Sequence, residues 1–181
     1  MFRLVFFLFI ALLSSCKQNN RSKSADQSDN IKKEARDAFK GFDSTIEIRF
    51  WQASDSISEM VQKKNCEGLL SKLNLLTPEI LKTIFEFYKD MYPAYKRGWT
   101  LRGLSRQELE KYLPTPTTPE NLKAFITPTV IHIPNTESCQ KGTIGIEFDC
   151  TWDNENGLAV IIKDWKLTNA NVAKIVDYLG S

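Results

Sequence analysis

Residues 142–162 read GTIGIEFDCTWDNENGLAVII, and this stretch decides the fold. Ile144, Ile146, Phe148, Cys150 and Trp152 alternate with Glu147, Asp149 and Thr151, the period of two that buries one face of a strand and wets the other. Asp153, Asn154, Glu155, Asn156 and Gly157 then gather turn formers around a glycine able to take positive φ, before an apolar run resumes at Leu158. Two strands joined by so short a connection make a hairpin, so the sheet is expected to be antiparallel.

Toward the C-terminus, Lys166–Thr168 extends the strand pattern, and Asn171 can cap a last helix with Val172, Ile175, Val176 and Leu179 on one face. Upstream, Thr129–Ile133 is a further strand, and most of what precedes it has helical spacing. Ile31, Ala35 and Phe39 line one side of a short helix stopped near Gly41, and Ile46, Ile48 and Phe50 alternate as a short strand. Ser56 with Glu59 has capping-box spacing and opens a helix toward Leu75 with a weak point at Gly68. Thr77-Pro78-Glu79 reads as a new helix start, and its stripe of Ile80, Leu81, Ile84, Phe85, Tyr88, Met91 and Tyr92 runs until Pro93 interrupts it. Ser105 with Glu108 caps a helix that ends before Pro114, and Thr118-Pro119-Glu120 starts a short one through Phe125. Helices early and strands late, without regular alternation, predict an α+β fold: N-terminal helices packed on a C-terminal antiparallel sheet, with a final C-terminal helix.

The chain has 181 residues, enough for one domain with a real core and too few for two large ones. With 42% apolar and 25% charged residues it is neither a wholly disordered chain nor a multi-span membrane protein. Twenty-four Lys and Arg against 22 Asp and Glu leave +2, so no global field draws it to nucleic acid. One histidine, His132, cannot build a multi-histidine metal site, and the four cysteines at 16, 66, 139 and 150 show no CxxC spacing.

Met1–Cys16 reads MFRLVFFLFIALLSSC: a positive start at Arg3, ten apolar residues from Leu4 to Leu13, then small residues before a cysteine. A helix of that run rises only about 15 Å, half of a ~30 Å hydrocarbon core, which is the pattern of a cleaved secretory signal and not of a span. Lys17–Asn30 holds Ala25 as its lone apolar residue and reads as a flexible leash. The expected organisation is a signal peptide over 1–15, a tether over 16–30 and a single α+β domain over 31–181.

The end of the signal, Leu13-Ser14-Ser15-Cys16, resembles the lipobox of bacterial lipoproteins. The resemblance implies that the Cys16 thiol receives a diacylglyceryl group and becomes the mature N-terminus. The domain would then be held at the cell envelope, outside the cytoplasm, by buried acyl chains at about 0.8 kcal/mol per methylene. Lys17 stands where an inner-membrane retention signal would usually place aspartate, which favours the outer membrane. The hairpin Cys150-Thr151-Trp152-Asp153-Asn154-Glu155-Asn156-Gly157-Leu158 resembles a Cys-Thr-Trp-Asp-x-Glu-His-Gly-Leu motif of an uncharacterised bacterial family, a domain of unknown function, with Asn156 in place of the usual histidine. Some relatives look like parts of toxin-immunity neighbourhoods, which implies a protein-binding, immunity-like role.

Chemistry-bearing groups have bland readings beside sharp ones. Asp149, Asp153 and Glu155 could gather at the strand end around a divalent cation, or Asp153 could cap the turn while Glu155 is solvated. Trp152 and Gly157 belong to the same motif, Trp152 as core anchor or ligand wall. A Cys150–His132 dyad competes with an inert buried thiol. With Cys16 assigned to lipid, Cys139 with Cys150 is the favoured disulfide, worth about 2–3 kcal/mol for a short loop, against a simply packed Cys150. No GxSxG elbow, HExxH or phosphate-cradling glycine loop occurs, so no catalytic residue, cofactor or metal is assigned. The expectation is a lipid-anchored binding module whose partners are the membrane, through its lipid, and another protein. The alternative is a metal-assisted hydrolase using Asp149, Asp153 and Glu155.

Overall fold

The computed structural model describes residues 29–39, 46–51, 56–134 and 142–171. The signal, Cys16, most of the tether, Cys139 and the expected last helix over 172–179 lie outside the described residues. Helix α1 spans residues 29–38, starting two residues before Ile31, and it buries Ile31 and Ala35, with Phe39 just beyond its end. Strand β1 (Glu47–Phe50) follows.

Helix α2 (Ser56–Leu101) is one continuous helix of 46 residues, about 69 Å long at ~1.5 Å per residue. The breaks expected at Thr77-Pro78 and Pro93 do not occur. Thr77 does not cap a new helix; its hydroxyl donates back to Leu73 O at 2.9 Å. Pro78 and Pro93 lie on the exposed side, as do Asn74 and Lys89, whose carbonyls lose their helical donors and are left to water. The other side, Cys66, Leu69, Leu73, Leu76, Ile80, Ile84 and Tyr88, is buried without interruption, and that packing outweighs the break at Pro78, while half-buried Tyr92 and Tyr95 pack against the core on either side of Pro93. Among the described residues no helix is long and apolar enough to cross a membrane.

Helix α3 (Arg106–Tyr112) starts at the expected capping box: Ser105 Oγ accepts from Glu108 N, and Glu108 Oε2 accepts from Ser105 N at 2.8 Å. Glu120–Ala124 forms a 3₁₀ turn. Then come β2 (Ile126–Ile133), β3 (Ile144–Cys150), β4 (Leu158–Lys163) and β5 (Lys166–Asn171). β2 begins earlier than the expected Thr129 and admits Pro128 at a register shift, where a missing N–H is tolerated.

The five strands lie in the order β1-β2-β3-β4-β5. β2 to β5 pair antiparallel, and the expected hairpin is β3–β4. β1 departs from the antiparallel expectation: it pairs with β2 in parallel, Ile48 opposite Ile131, because α2 lies between them in the chain and serves as the crossover that parallel neighbours need. One face of the sheet, carrying Ile131, Ile133, Ile144, Ile146, Phe148, Val160 and Ile162, forms the core with α1 and α2.

Two glycines seat the β4–β5 turn. Asp164 and Trp165 both take positive φ, +50° and +59°, as a tight hairpin turn with right-handed strands demands. Trp165 N donates to Gly142 O at 3.3 Å, and its indole fills a notch over Gly68, where a Cβ would come within 1.9 Å of Cζ2. Buried Asn65 on α2 ties the segment before β3, accepting from Gly142 N at 2.7 Å and donating to Thr143 O at 3.4 Å.

Candidate binding site

The last turns of α2 stand beside the β3–β4 turn and enclose a cleft of about 400 Å³, lined by Tyr95, Gly98 and Trp99 on the helix, by Arg102 just past its end, and by Trp152 through Asn156 on the turn. Burial on α2 stops at Tyr88, so beyond it the helix offers half-buried Tyr95 and Trp99 as a wall, with exposed Arg102 just past its last residue. Tyr95, Trp99 and Arg102 continue the i, i+4, i+7 spacing and therefore share a side.

Trp152 anchors the turn. It is 1% exposed and packs on Tyr88 with ring centroids 4.2 Å apart, while Tyr88 Oη donates to Pro114 O at 2.6 Å. Trp99 Nε1 donates to Trp152 O at 3.2 Å, and the Trp99 ring stacks on Tyr112 at 5.9 Å. Tyr112 O in turn accepts from Thr151 Oγ1 at 2.7 Å, so helix, turn and α3 brace one another. Trp152 Nε1 is buried without a partner among the described residues.

The turn closes on itself. Asp153 Oδ1 accepts from Asn156 N at 3.2 Å and Asn156 Nδ2 at 3.0 Å, and Asp153 O accepts from Gly157 N at 2.9 Å. Gly157 takes φ +65°, and a Cβ there would meet Phe148 O at 2.6 Å. Arg102 lies over the Trp99 ring at 5.8 Å. Burial, helped by the Asp153 charge, pushes the Tyr95 hydroxyl up to about 12, so it stays a neutral donor at physiological pH.

A family described as Domain of unknown function (DUF6985) matches residues 22–176. The chain belongs to this family. No curated protein and no solved structure matches it. In this DUF6985 chain Trp152, Asp153 and Glu155 line the cleft, and Gly157 closes the turn that frames it.

Asp149 does not join them. Among the described residues no three His, Cys, Asp or Glu side chains stand together to hold a metal ion, so the acid cluster read from the sequence does not form. Asp149 is exposed on β3, and Asp153 spends one carboxylate oxygen on its own turn. Cys150 and His132 do not meet either: His132 pairs with Gly145, five residues from Cys150, which is about 17 Å along the strand. Cys150 is a buried free thiol, donating to Asp153 O at 3.6 Å and pushed up to about 12 by burial, which makes it a poor nucleophile. Its expected disulfide partner, Cys139, lies outside the described residues.

Tyr95, Trp99 and Arg102 are not legible as site residues from local signals, because Pro93 is a helix stop signal. Their spacing past Pro93 was the available signal. His132 stands on the sheet's other face, away from the cleft: its Nδ1 accepts from Trp51 Nε1 at 3.3 Å, and its Nε2 lies 3.1 Å from Glu147 Oε1.

Proposed function

We propose that this protein is a lipid-anchored, extracytoplasmic binding module, held at the outer membrane through Cys16 and acting on another protein without a catalytic centre. The cleft between the end of α2 and the β3–β4 turn carries this reading. Its walls combine two aromatic rings, a guanidinium and the polar edge of a braced turn, the composition of a recognition surface. The lipobox resemblance at Leu13–Cys16 and the leash behind it support the address, and the family's toxin-immunity resemblance makes an immunity-like partner the first to try.

Gly98 supplies the test, since nothing lies within 4 Å of a Cβ built on it. Gly98→Leu adds a side chain on the cleft's lining, its Cβ free of contacts, and favours the helix by up to about 1 kcal/mol. The full-length wild type, used as bait in envelope fractions, is expected to recover a specific partner, and Gly98→Leu and Arg102→Glu to lose it at unchanged or higher melting temperature. Equal recovery by both variants, or no specific partner, overturns the proposal.

A further inference from the structure

The sheet has a second face, turned away from α1 and α2. Two rows cross it from β2 to β4, Val130–Glu147–Ala159 and His132–Gly145–Ile161. A sheet face left to water is wet along its whole length. This one is wet only at its ends: Asp149 and Lys163 are exposed, and between them Val130 is 8% exposed, Ala159 4%, Ile161 9% and His132 1%. The dry centre also stops at β1, where Glu47 and Arg49 on the same face are exposed. Among the described residues, the hydrophobic side chain packed against Ala159 and Ile161 is that of Trp51, which is itself half-buried. The cover therefore spans β4 to β2 and arrives from the β5 side.

We propose that residues 172–179 of this chain fold as a helix across this face and seat Val172, Ile175, Val176 and Leu179 on Val130, Ala159 and Ile161. The path of the chain leads there. β5 ends at Asn171, whose register partner is Ala159, so the next residue leaves the sheet in one of the two dry rows. The segment has the matching chemistry: its four apolar residues recur at i, i+3, i+4 and i+7, one side of a helix, with Lys174 and Asp177 off that stripe. It also has the reach. Eight residues rise about 12 Å at ~1.5 Å each, and β4 to β2 is about 10 Å at ~4.8 Å per strand. Gly145 and Ala159 put little bulk in two neighbouring strands, which lets another backbone come close. The fold then has three layers, helices on both faces of the sheet, and the Trp51–His132–Glu147 corner lies at the margin of the third.

The test places a thiol on the covered face. The full chain carrying Ala159→Cys is treated with iodoacetamide, and labelling at position 159 is followed by peptide mass, which separates it from the native thiols. Adding Val176→Asp, which puts a charge on the apolar stripe, should speed that labelling at least about tenfold. In the chain with neither substitution, amide exchange over 172–179 should be at least about tenfold slower than in an unstructured segment, and Val176→Asp should abolish the protection. The exchange measurement changes nothing on the sheet, so it decides the matter even if Ala159→Cys fails to fold. Equal labelling with and without Val176→Asp, unprotected exchange over 172–179, or protection that rises with protein concentration, the mark of a second copy on this face, would each overturn the proposal.

Discussion

Trp51 Nε1 donates to His132 Nδ1 across 3.3 Å, with the two rings nearly perpendicular at 82°. The bond fixes the imidazole: a ring that accepts at Nδ1 and is neutral carries its proton on Nε2, which faces Glu147. Gln62 holds the same corner, donating from Nε2 to Trp51 O at 2.9 Å and to Ile133 O at 3.1 Å. β1 is thereby fastened to β2 by side chains as well as by its ladder.

A pH dependence follows from that geometry. Burial holds the His132 pKa below its ordinary value of 6.5; Glu147 pulls it back up and Arg49 pushes it down. The unfolded chain takes the proton first as pH falls, so the histidine's contribution is complete above about 6.5 and is lost as pH drops through the folded value. Protonation also puts a hydrogen on Nδ1, facing the Trp51 donor. Thermal melts between about pH 8 and 5 should show a steeper loss of Tm for the wild type than for His132→Asn, whose Oδ1 can still accept from Trp51. Parallel curves for the two proteins would remove His132 as the cause.

Gly68→Ala should invert the usual rule. In an exposed helix the change stabilises by up to about 1 kcal/mol. Here the new Cβ meets the rigid Trp165 indole at 1.9 Å, so a loss of about 1–3 kcal/mol is expected from overpacking. Denaturant unfolding of Gly68→Ala, Trp165→Ala and the double variant measures it. The double variant should lose less than the sum of the singles, and strict additivity would mean that the notch does not couple them.

Asp153 and Glu155 separate structural acids from catalytic ones. Asp153→Ala leaves Asn156 N without its acceptor and should lower stability by about 1 kcal/mol, while exposed Glu155→Ala should leave stability within about 0.5 kcal/mol of wild type. Adding EDTA should shift neither protein's melt. A metal-dependent Tm abolished by both substitutions would revive the hydrolase reading.

The β3–β4 hairpin was legible because everything that specifies it is local: alternation from Ile144 to Trp152, then turn formers, then a glycine at the position with φ +65°. The α3 capping box was legible for the same reason. α2 was not, because Pro78 and Pro93 carry strong local stop signals, and the buried row from Cys66 to Tyr88 overrides the first of them only through contacts distant in sequence. The helical wall of the cleft was lost with it. β1's parallel pairing and the Trp51–His132 bond join residues about eighty positions apart and leave no periodic trace.

The most direct test of the proposed address and role is the mass of the mature N-terminal peptide of native protein taken from the detergent phase of an envelope extraction. The account predicts a chain beginning at Cys16 with a diacylglyceryl thioether, and a Cys16→Ala variant that moves to the aqueous phase. A native chain that starts at Met1 and partitions with water would contradict it.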